Sequence, residues 1–306
     1  MITTGPRLVS VGNVVVDITA HVAAVPGPGA DVLAEESQLT PGGSFNVLLA
    51  ATRQGLRGAY AGASGTGPFG DLVRARMRDA GVEVLLPPSR HLDTGYAVTL
   101  VEPDGERRFV TAFGAEADLT ESQLGGLALQ PTDSVHVSGY GLLSRTNADV
   151  IPPWLLGLTA GHLVVFDPGP LFAGIPASAL RAVCGRADWV SCNEREALLM
   201  TGEPTVTSAA RALAVEHTSV VVRLGAKGCL VSAGGPPVPV PGFATKAVDT
   251  TGAGDAHVGA FCAALVAGHS PVQAARRANA CAALAVARRG PATAPSRDEV
   301  EELLAR

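Results

Sequence analysis

The chain has 306 residues, of which 47% are hydrophobic and 17% are charged, and its net charge at pH 7 is −5. A chain of this length can bury a large core, and these values favour one large α/β domain with an appendage over two equal domains. Lys and Arg never occur in runs longer than two, so the basic surface needed by a nucleic-acid partner is not expected.

Neither the cysteines nor the apolar stretches indicate an exported or membrane protein. The Ala-rich stretches at 259–267 and 280–287 are too short to span a bilayer. The amino-terminal segment enters a strand-like pattern at once, without the basic flank of a signal peptide. The cysteines are odd in number and form no CxxC pair, which predicts free thiols in a reducing cytoplasm. They are Cys184, Cys192, Cys229, Cys262 and Cys281.

The amino-terminal third contains strand-like runs that do not fit a parallel sheet. Such runs occur at 8–11, 14–18 and 30–39. Two alternating segments, 96–101 and 107–112, flank a Pro-Asp-Gly turn signal and predict a hairpin. We therefore expect a small β-sheet lid, formed from about 14–40 and 94–114, on one α/β domain that covers 1–306.

From residue 134 onward, β-branched apolar runs alternate with helical segments. The runs lie at 134–138, 163–167, 189–192 and 220–224. Runs of this kind are typical of parallel strands that are buried on both faces. A Ser-Pro start at Ser270 predicts a helix that continues to Arg289 and stops at Gly290. The alternation predicts a doubly wound, mostly parallel sheet.

The string DTTGAGD at residues 249–255 precedes a predicted helix at 256–267. The small residues Gly252, Ala253 and Gly254 allow close backbone approach, and the first N–H groups of a helix attract anions. Asp255 would lie beside such an anion hole, where a carboxylate could take a proton from an attacking hydroxyl. The short pattern alone also fits a turn in which Asp255 only caps the helix.

The whole string, in its strand–loop–helix setting, resembles the carboxy-terminal signature of the ribokinase-like (PfkB) carbohydrate kinase family. This resemblance implies a ribokinase-like fold and ATP-dependent phosphorylation of a hydroxyl on a small sugar or nucleoside. It also implies that Asp255 is the catalytic base, that residues 252–254 form the anion hole, and that the nucleotide binds with Mg²⁺.

A second region resembles the family's substrate-binding signature. By that resemblance Gly42 and Gly43 form a hinge close to the substrate, while Asn46 and Asp17 bind its hydroxyls. A glycine pair can also be a simple loop hinge, and an aspartate after a Val run can merely end a strand. Ser44-Phe45 departs from the small residues that are common in the family, and Val15 stands where an Asn is frequent.

The resemblance also assigns nucleotide and cation ligands. The expected nucleotide and Mg²⁺ residues are Asn193, Glu196, Arg223, Gly225, Lys227, Gly228 and Asn279. A monovalent cation such as K⁺ is possible at Asp249, Thr251 and Gly290. The Asn193–Glu196 spacing also fits a helix capping box, and Lys227 also fits a solvated turn.

Other functions stay open at this point. A nucleoside kinase of the same fold is one alternative, although aromatic residues, which stack on bases, make up only 4% of the chain. An unphosphorylated sugar is favoured, because the predicted lid has no Arg or Lys cluster for a sugar phosphate beyond Arg107 and Arg108. A nicotinamide-dependent oxidoreductase could use the glycine-rich run 62–67 as its dinucleotide loop. A ligand-sensing relative without catalytic activity is a third. The exposed strand edges of the lid predict a homodimer in which two lids cover one another.

Overall fold

A computed structural model describes residues 5–159, 161–215 and 218–306. The strands, in chain order, are β1 (Arg7–Val11), β2 (Val16–Val22), β3 (Ala34–Pro41), β4 (Arg57–Tyr60), β5 (Glu83–Val84), β6 (Tyr96–Val101), β7 (Arg107–Ala112), β8 (Ser134–Ser138), β9 (Val164–Asp167), β10 (Trp189–Asn193), β11 (Ser219–Arg223), β12 (Gly228–Ser232) and β13 (Val238–Pro241). The helices are α1 (Ser44–Arg53), α2 (Pro68–Asp79), α3 (Glu121–Gly125), α4 (Arg145–Leu156), α5 (Ala177–Arg186), α6 (Glu194–Thr201), α7 (Val206–Leu213), α8 (Ala253–Val266), α9 (Pro271–Val286) and α10 (Arg297–Leu304).

The large sheet has the strand order β13-β12-β11-β10-β9-β8-β1-β4-β5. Neighbouring strands are parallel from β5 to β11, whereas β12 and β13 are antiparallel and extend one edge. Every residue of β1 and β8 is buried, as expected for parallel strands that helices cover on both faces. The prediction of a mostly parallel sheet is confirmed.

Helices form a layer on each face of this sheet. Successive residues of a strand point to opposite faces, so Leu8 and Val9 of β1 belong to different hydrophobic clusters. The Leu8 cluster contains residues of α1, α2, α8, α9 and α10, and the Val9 cluster contains residues of α3 to α7. The fold is therefore the predicted doubly wound type, and α1 and α8 lie in the same layer.

A second, small sheet has the order β3-β2-β6-β7, in which β2 and β6 are parallel and the other pairs antiparallel. The predicted hairpin is confirmed as β6 and β7. The strand register gives the sheet two faces. The inner face carries Asp17, Thr19, Gln38, Thr40, Thr99, Arg107 and Phe109. The outer face carries Ile18, Leu39, Val98, Leu100 and Val110.

Several element boundaries differ from the sequence-based ones, for local reasons. The strand expected at 30–39 begins only at Ala34, after a loop in which Gly29 has a φ of 75°. Helix α9 ends at Val286 instead of Arg289, because the Val286 carbonyl accepts hydrogen bonds from the backbone N–H groups of Val248 and Asp249. The last carbonyl of the helix is thus hydrogen-bonded to the loop at 248–249 and not to a further helical turn.

The structure also bears on membrane and thiol chemistry. Within the described ranges, the helices are too short or too polar to cross a bilayer. All five cysteines carry free thiols, and burial raises the pKa of each thiol, to about 11 for Cys184 and Cys229. Buried thiols of this kind are packing residues, because the reactive thiolate is suppressed.

Candidate active site

The loop that leads into α8 brings Asp255 to the carboxyl end of the large sheet. Helix α8 begins at Ala253, three residues earlier than predicted, because Gly252 acts as its N-cap in the left-handed region with a φ of 74°. A Cβ at Gly252 would lie 2.4 Å from the backbone oxygen of Pro291, so only glycine fits there. Asp255 therefore lies in the first turn, where backbone N–H groups and the helix dipole attract negative charge.

Asp255 is partly buried and receives one side-chain hydrogen bond from α1. The Asn46 amide Nδ2 donates to Asp255 Oδ2 at 3.1 Å. Removal of the carboxyl from water raises the pKa of Asp255 to about 7, and this effect outweighs the Asn46 hydrogen bond, which lowers it. A carboxyl with a pKa near neutrality can accept and release a proton, which is the property that a general base requires.

Asp17 and the glycine pair lie in the same cleft. A Cβ on Gly42 would lie 2.1 Å from Asp17 Oδ2, so the carboxyl group rests directly against the Gly42 backbone. Gly43 has a φ of 60°, in the left-handed region. A Cβ at Gly43 would lie only 2.6 Å from the carbonyl oxygen of Asn13, so its backbone packs directly on that carbonyl. Burial raises the pKa of Asp17 to about 6, and the Asp17 charge in turn raises the pKa of Asp255. The two carboxyl groups therefore belong to one electrostatic site.

Three buried oxygen atoms on β3 and at the start of α1 have no hydrogen-bond partner within the described part of the chain. They are Thr40 Oγ1, Ser44 Oγ and Asn46 Oδ1. Thr40 is the cross-strand neighbour of Asp17, while Ser44 and Asn46 begin α1. A buried polar atom without a partner costs about 1–3 kcal/mol, so a site of this composition favours a ligand that is rich in hydroxyl groups.

A partly buried arginine connects the loop of α8 to two further strands. Arg223, at the end of β11, donates from Nη1 to Asp167 Oδ2 at 3.1 Å and to Ser191 Oγ at 2.6 Å. Its Nη2 lies 3.7 Å from Glu196 Oε2. The Arg223 guanidinium also lies against Gly254, 3.7 Å from where a Cβ would be. The sequence motifs predict Arg223 and Glu196 at this site, but not Asp167 and Ser191.

Asn193 and Glu196 form the expected capping box at the start of α6. Asn193 donates its backbone N–H to Glu196 Oε2 at 2.8 Å and its Nδ2 to Glu196 Oε1 at 2.7 Å. The Glu196 backbone N–H donates to Asn193 Oδ1 at 2.8 Å. Burial raises the pKa of Glu196, and the neighbouring Asp167 raises it further. The capping role is confirmed, and it places this carboxylate beside Arg223.

A cavity of about 540 Å³ lies between the β11–β12 loop, the loop after β13, α8 and α9. Its lining contains five of the predicted nucleotide residues, Asn193, Arg223, Gly225, Gly228 and Asn279, together with Ala253 and Gly254 of the predicted anion hole, and it does not contain Glu196. Lys227 is exposed and is not part of the lining. The Asn279 amide Nδ2 donates to the carbonyls of Val240 and Pro241, each at 3.1 Å, and thereby ties α9 to β13.

The residues predicted for a monovalent cation are already occupied with hydrogen-bond donors. Asp249 Oδ1 accepts from the Thr251 N–H at 2.9 Å and from its hydroxyl at 2.7 Å, and Oδ2 accepts from the Gly290 N–H at 3.1 Å. Arg107 of the small sheet adds a contact to Oδ1 at 3.0 Å. Burial opposes ionisation, but these donors outweigh it and lower the pKa of Asp249 to about 2. This donor set does not fit a cation while Arg107 is in place.

The glycine-rich run 62–67 does not form a dinucleotide loop. The Asp93 carboxylate accepts from the backbone N–H groups of Phe69 and Gly70 at 3.0 and 2.8 Å, so it occupies the helix start where a pyrophosphate would bind. A Cβ on Gly65 would lie 2.3 Å from the Asp93 backbone. These glycines allow two loops to pack closely, and the oxidoreductase alternative is wrong.

Comparisons with known proteins agree with this geometry. The pattern of the pfkB family carbohydrate kinases matches residues 6–298. The uncharacterized sugar kinase YegV of Escherichia coli (strain K12) is 30% identical over 305 residues, which cover 98% of this chain and 94% of that protein.

Solved ribokinase structures share the fold over almost the full length. The ribokinase of Thermotoga maritima superposes with a TM-score of 0.83 at 28% identity and covers 98% of this chain and 100% of its own. The Arabidopsis thaliana ribokinase complexed with ribose and ATP has a TM-score of 0.81 at 25% identity, with coverage of 99% and 100%. The chain thus belongs to the pfkB family of carbohydrate kinases and is a phosphotransferase with the ribokinase fold.

Proposed function

We propose that this protein transfers the γ-phosphoryl group of ATP to a hydroxyl of a small, unphosphorylated sugar. The observation that supports this most is the Asn46–Asp255 hydrogen bond, which joins the substrate side of the cleft to the first turn of α8. Asp255 removes the proton from the acceptor hydroxyl as its oxygen attacks the γ-phosphorus, and the bond to the β-phosphate oxygen breaks. The products are ADP, the sugar phosphate and a proton held by Asp255.

The substrate lies between α1 and the inner face of the small sheet in this proposal. Asp17 accepts hydrogen bonds from its hydroxyls, and Asn46 contributes its unpartnered Oδ1. Gly42 and Gly43 let the backbone approach closely, as their tight contacts with Asp17 and Asn13 indicate. The small sheet acts as a lid that excludes water, which would otherwise compete as the phosphoryl acceptor.

ATP occupies the cavity of about 540 Å³ in this proposal, with its phosphates directed toward residues 252–254. Arg223, Gly225, Gly228 and Asn279 contact the nucleotide from the cavity wall, and Lys227 contributes only from the exposed loop. The N–H groups at 252–254 stabilise charge that develops on the transferred group. Mg²⁺ would neutralise phosphate charge, and the carboxylate of Glu196, held by Asn193, suits the ordering of its waters.

The arginines of the small sheet support an acceptor without a phosphate. Arg107 contacts Asp249, while Arg108 contacts Glu102 on its own hairpin, so both guanidinium groups already have carboxylate partners. A nucleoside remains the second candidate, because Phe109 is 64% exposed on the same face as Asp17 and could stack on a base.

An ADP-release screen tests this proposal. Purified protein with Mg·ATP is presented with pentoses, hexoses, hexose phosphates and nucleosides in separate reactions. We expect ADP release with at least one unphosphorylated sugar and a phosphorylated product of matching mass. Turnover with nucleosides alone would select the second candidate, and no acceptor-dependent ADP in any reaction would refute both.

We also propose that the chain forms a homodimer through the outer face of the small sheet. Val110 and Leu39 are 69% and 47% exposed there, next to the partly buried Ile18 and Val98. An apolar face of this kind favours burial against a second copy, which would also cover the strand edges. The free cysteine thiols support a location in the reducing cytoplasm, where ATP is available.

A further inference from the structure

Two ion pairs join the small sheet to loops of the large sheet. Arg107 Nη2 on β7 lies 3.0 Å from Asp249 Oδ1, and Glu36 Oε2 on β3 lies 3.1 Å from Arg289 Nη2. The Arg107 and Asp249 side chains are 31% and 19% exposed, whereas those of Arg289 and Glu36 are 65% and 53% exposed. Solvent screens the second pair more, so the Arg107–Asp249 pair is the stronger connection.

Both ion pairs start from one row of residues across the small sheet. Glu36 on β3 pairs with His21 on β2, and His21 pairs with Val101 on β6. Val101 in turn pairs with Arg107 on β7. The two charged residues therefore lie at opposite ends of a row on the inner face. A rigid sheet that carries both ends of such a row must be seated correctly for both pairs to form.

Arg107 makes a second contact that reaches the anion-hole loop itself. Its Nη1 donates to the Thr251 hydroxyl, and Thr251 in turn donates to Asp249 through its N–H and its hydroxyl. Gly290, the neighbour of Arg289, donates its N–H to Asp249 Oδ2. The guanidinium thus holds both ends of 249–251, directly before the residues whose N–H groups face the phosphoryl group.

We infer that Arg107 is a positioning residue that fixes the anion-hole loop only when the small sheet is seated on the site. This inference rests on the proposed function. Arg107 supplies at Asp249 the positive charge that a bound monovalent cation could otherwise supply, and the donors around Asp249 do not fit such an ion. Closure over the sugar and assembly of the anion hole are then one event.

Arg108 offers a matched control one residue away. Its side chain points to the opposite face of β7 and contacts Glu102 and Glu106 of the same hairpin. Arg108→Ala removes the same number of atoms and the same charge as Arg107→Ala, and it leaves 249–251 untouched. Arg107→Lys keeps the charge but offers a single ammonium group in place of a guanidinium fork.

The kinetic test compares these three variants with the wild type. We expect Arg107→Ala to lower kcat by about tenfold or more, with smaller changes in KM for ATP and for the sugar, because the loop is misplaced while both sites persist. Added guanidinium ion should restore part of the rate, Arg107→Lys should be intermediate, and Arg108→Ala should match the wild type. Replacing Na⁺ by K⁺ should leave the wild-type rate unchanged. An unchanged kcat in Arg107→Ala, or a wild type that requires K⁺, would overturn the inference.

Hydrogen exchange separates this inference from the proposed function, because it requires no turnover. The backbone amides of 250–254 should exchange faster in Arg107→Ala than in the wild type or in Arg108→Ala. Equal exchange in all three proteins would overturn the role of Arg107. A wild type that released no ADP with any acceptor would refute the proposed function, and the exchange comparison would still decide whether Arg107 holds the loop.

Discussion

Asn46 and Asp255 are 209 positions apart in the chain, and their side chains share a hydrogen bond of 3.1 Å between Nδ2 and Oδ2. The contact exists because α1 and α8 lie in the same helical layer, so that the start of each helix opens into the cleft. It connects a residue proposed to bind the substrate with the proposed base. The protonation state of Asp255 therefore depends on Asn46.

The first prediction concerns pH dependence. A general base works in its ionised form, so wild-type kcat/KM for the sugar should rise with pH up to about 7 and then level off. The Asn46 hydrogen bond favours the ionised form, so Asn46→Leu should move this rise to higher pH as well as raise KM. The measurement is kcat/KM between pH 5 and 9 for both proteins. Coincident profiles would contradict the link between the two residues.

A second prediction concerns stability in the absence of ligands. The pKa of Asp255 is raised from 3.8 to about 7 in the folded chain, so the folded state binds its proton more tightly than the unfolded state does. The contribution of this protonation to the free energy of unfolding is complete below about pH 4 and is lost as the pH rises through about 7.

Asp255→Asn should avoid this loss of stability at high pH, because the Asn side chain does not ionise. The variant should be more stable than the wild type at pH 8, by up to about 4 kcal/mol, and the difference should shrink toward pH 4. Urea unfolding at pH 4, 6 and 8 measures it. A difference that is independent of pH would mean that burial does not raise the pKa of Asp255.

A third prediction tests the close approach of backbone to Asp17. Gly42→Ala would place a methyl group 2.1 Å from Asp17 Oδ2, so the carboxyl group must move away from its present position. We expect KM for the sugar to rise by about tenfold or more, with little change in KM for ATP. Gly125→Ala is the control, since a Cβ at Gly125 has no neighbour within 4 Å. Equal KM values for the sugar in both variants would contradict the proposal that Asp17 binds the substrate.

A fourth prediction tests the homodimer. Val110→Asp places a charge on the outer face at the edge strand β7, which should prevent the burial of that face against a second copy. Light scattering should give a dimer for the wild type and a monomer for the variant. Val272→Asp on α9 introduces the same charge outside the small sheet, at a valine that is 42% exposed, and should remain dimeric. A monomeric wild type would refute the proposal.

Much of the fold could be predicted from the sequence because strong periodic patterns determined it. The run at 134–138 and the hairpin strands at 96–101 and 107–112 form the predicted strands with the predicted bounds. Buried β-branched residues and a Pro-Asp-Gly turn are local signals, and the structures that they predict are not changed by tertiary packing. Boundaries set by tertiary contacts were less predictable, such as the end of α9 at Val286, whose carbonyl is taken by a distant loop.

The site was only partly predictable, for a related reason. Short motifs predict Asp255, Asn46, Asp17 and Arg223 as site residues, because each stands in a recognisable string. Asp167 stands in no such string, although it ends a strand that the sequence does predict, and ends of parallel strands are where ligands bind. The Arg107–Asp249 contact joins residues 142 positions apart, so no local pattern could reveal it.

The direct test of the central claim is single-turnover phosphoryl transfer by Asp255→Asn, with the sugar that the wild type accepts. We expect a variant that folds and binds ATP like the wild type, yet transfers the γ-phosphoryl group at least roughly a hundredfold more slowly at pH 8. Wild-type transfer rates in that variant would contradict the assignment of Asp255 as the base.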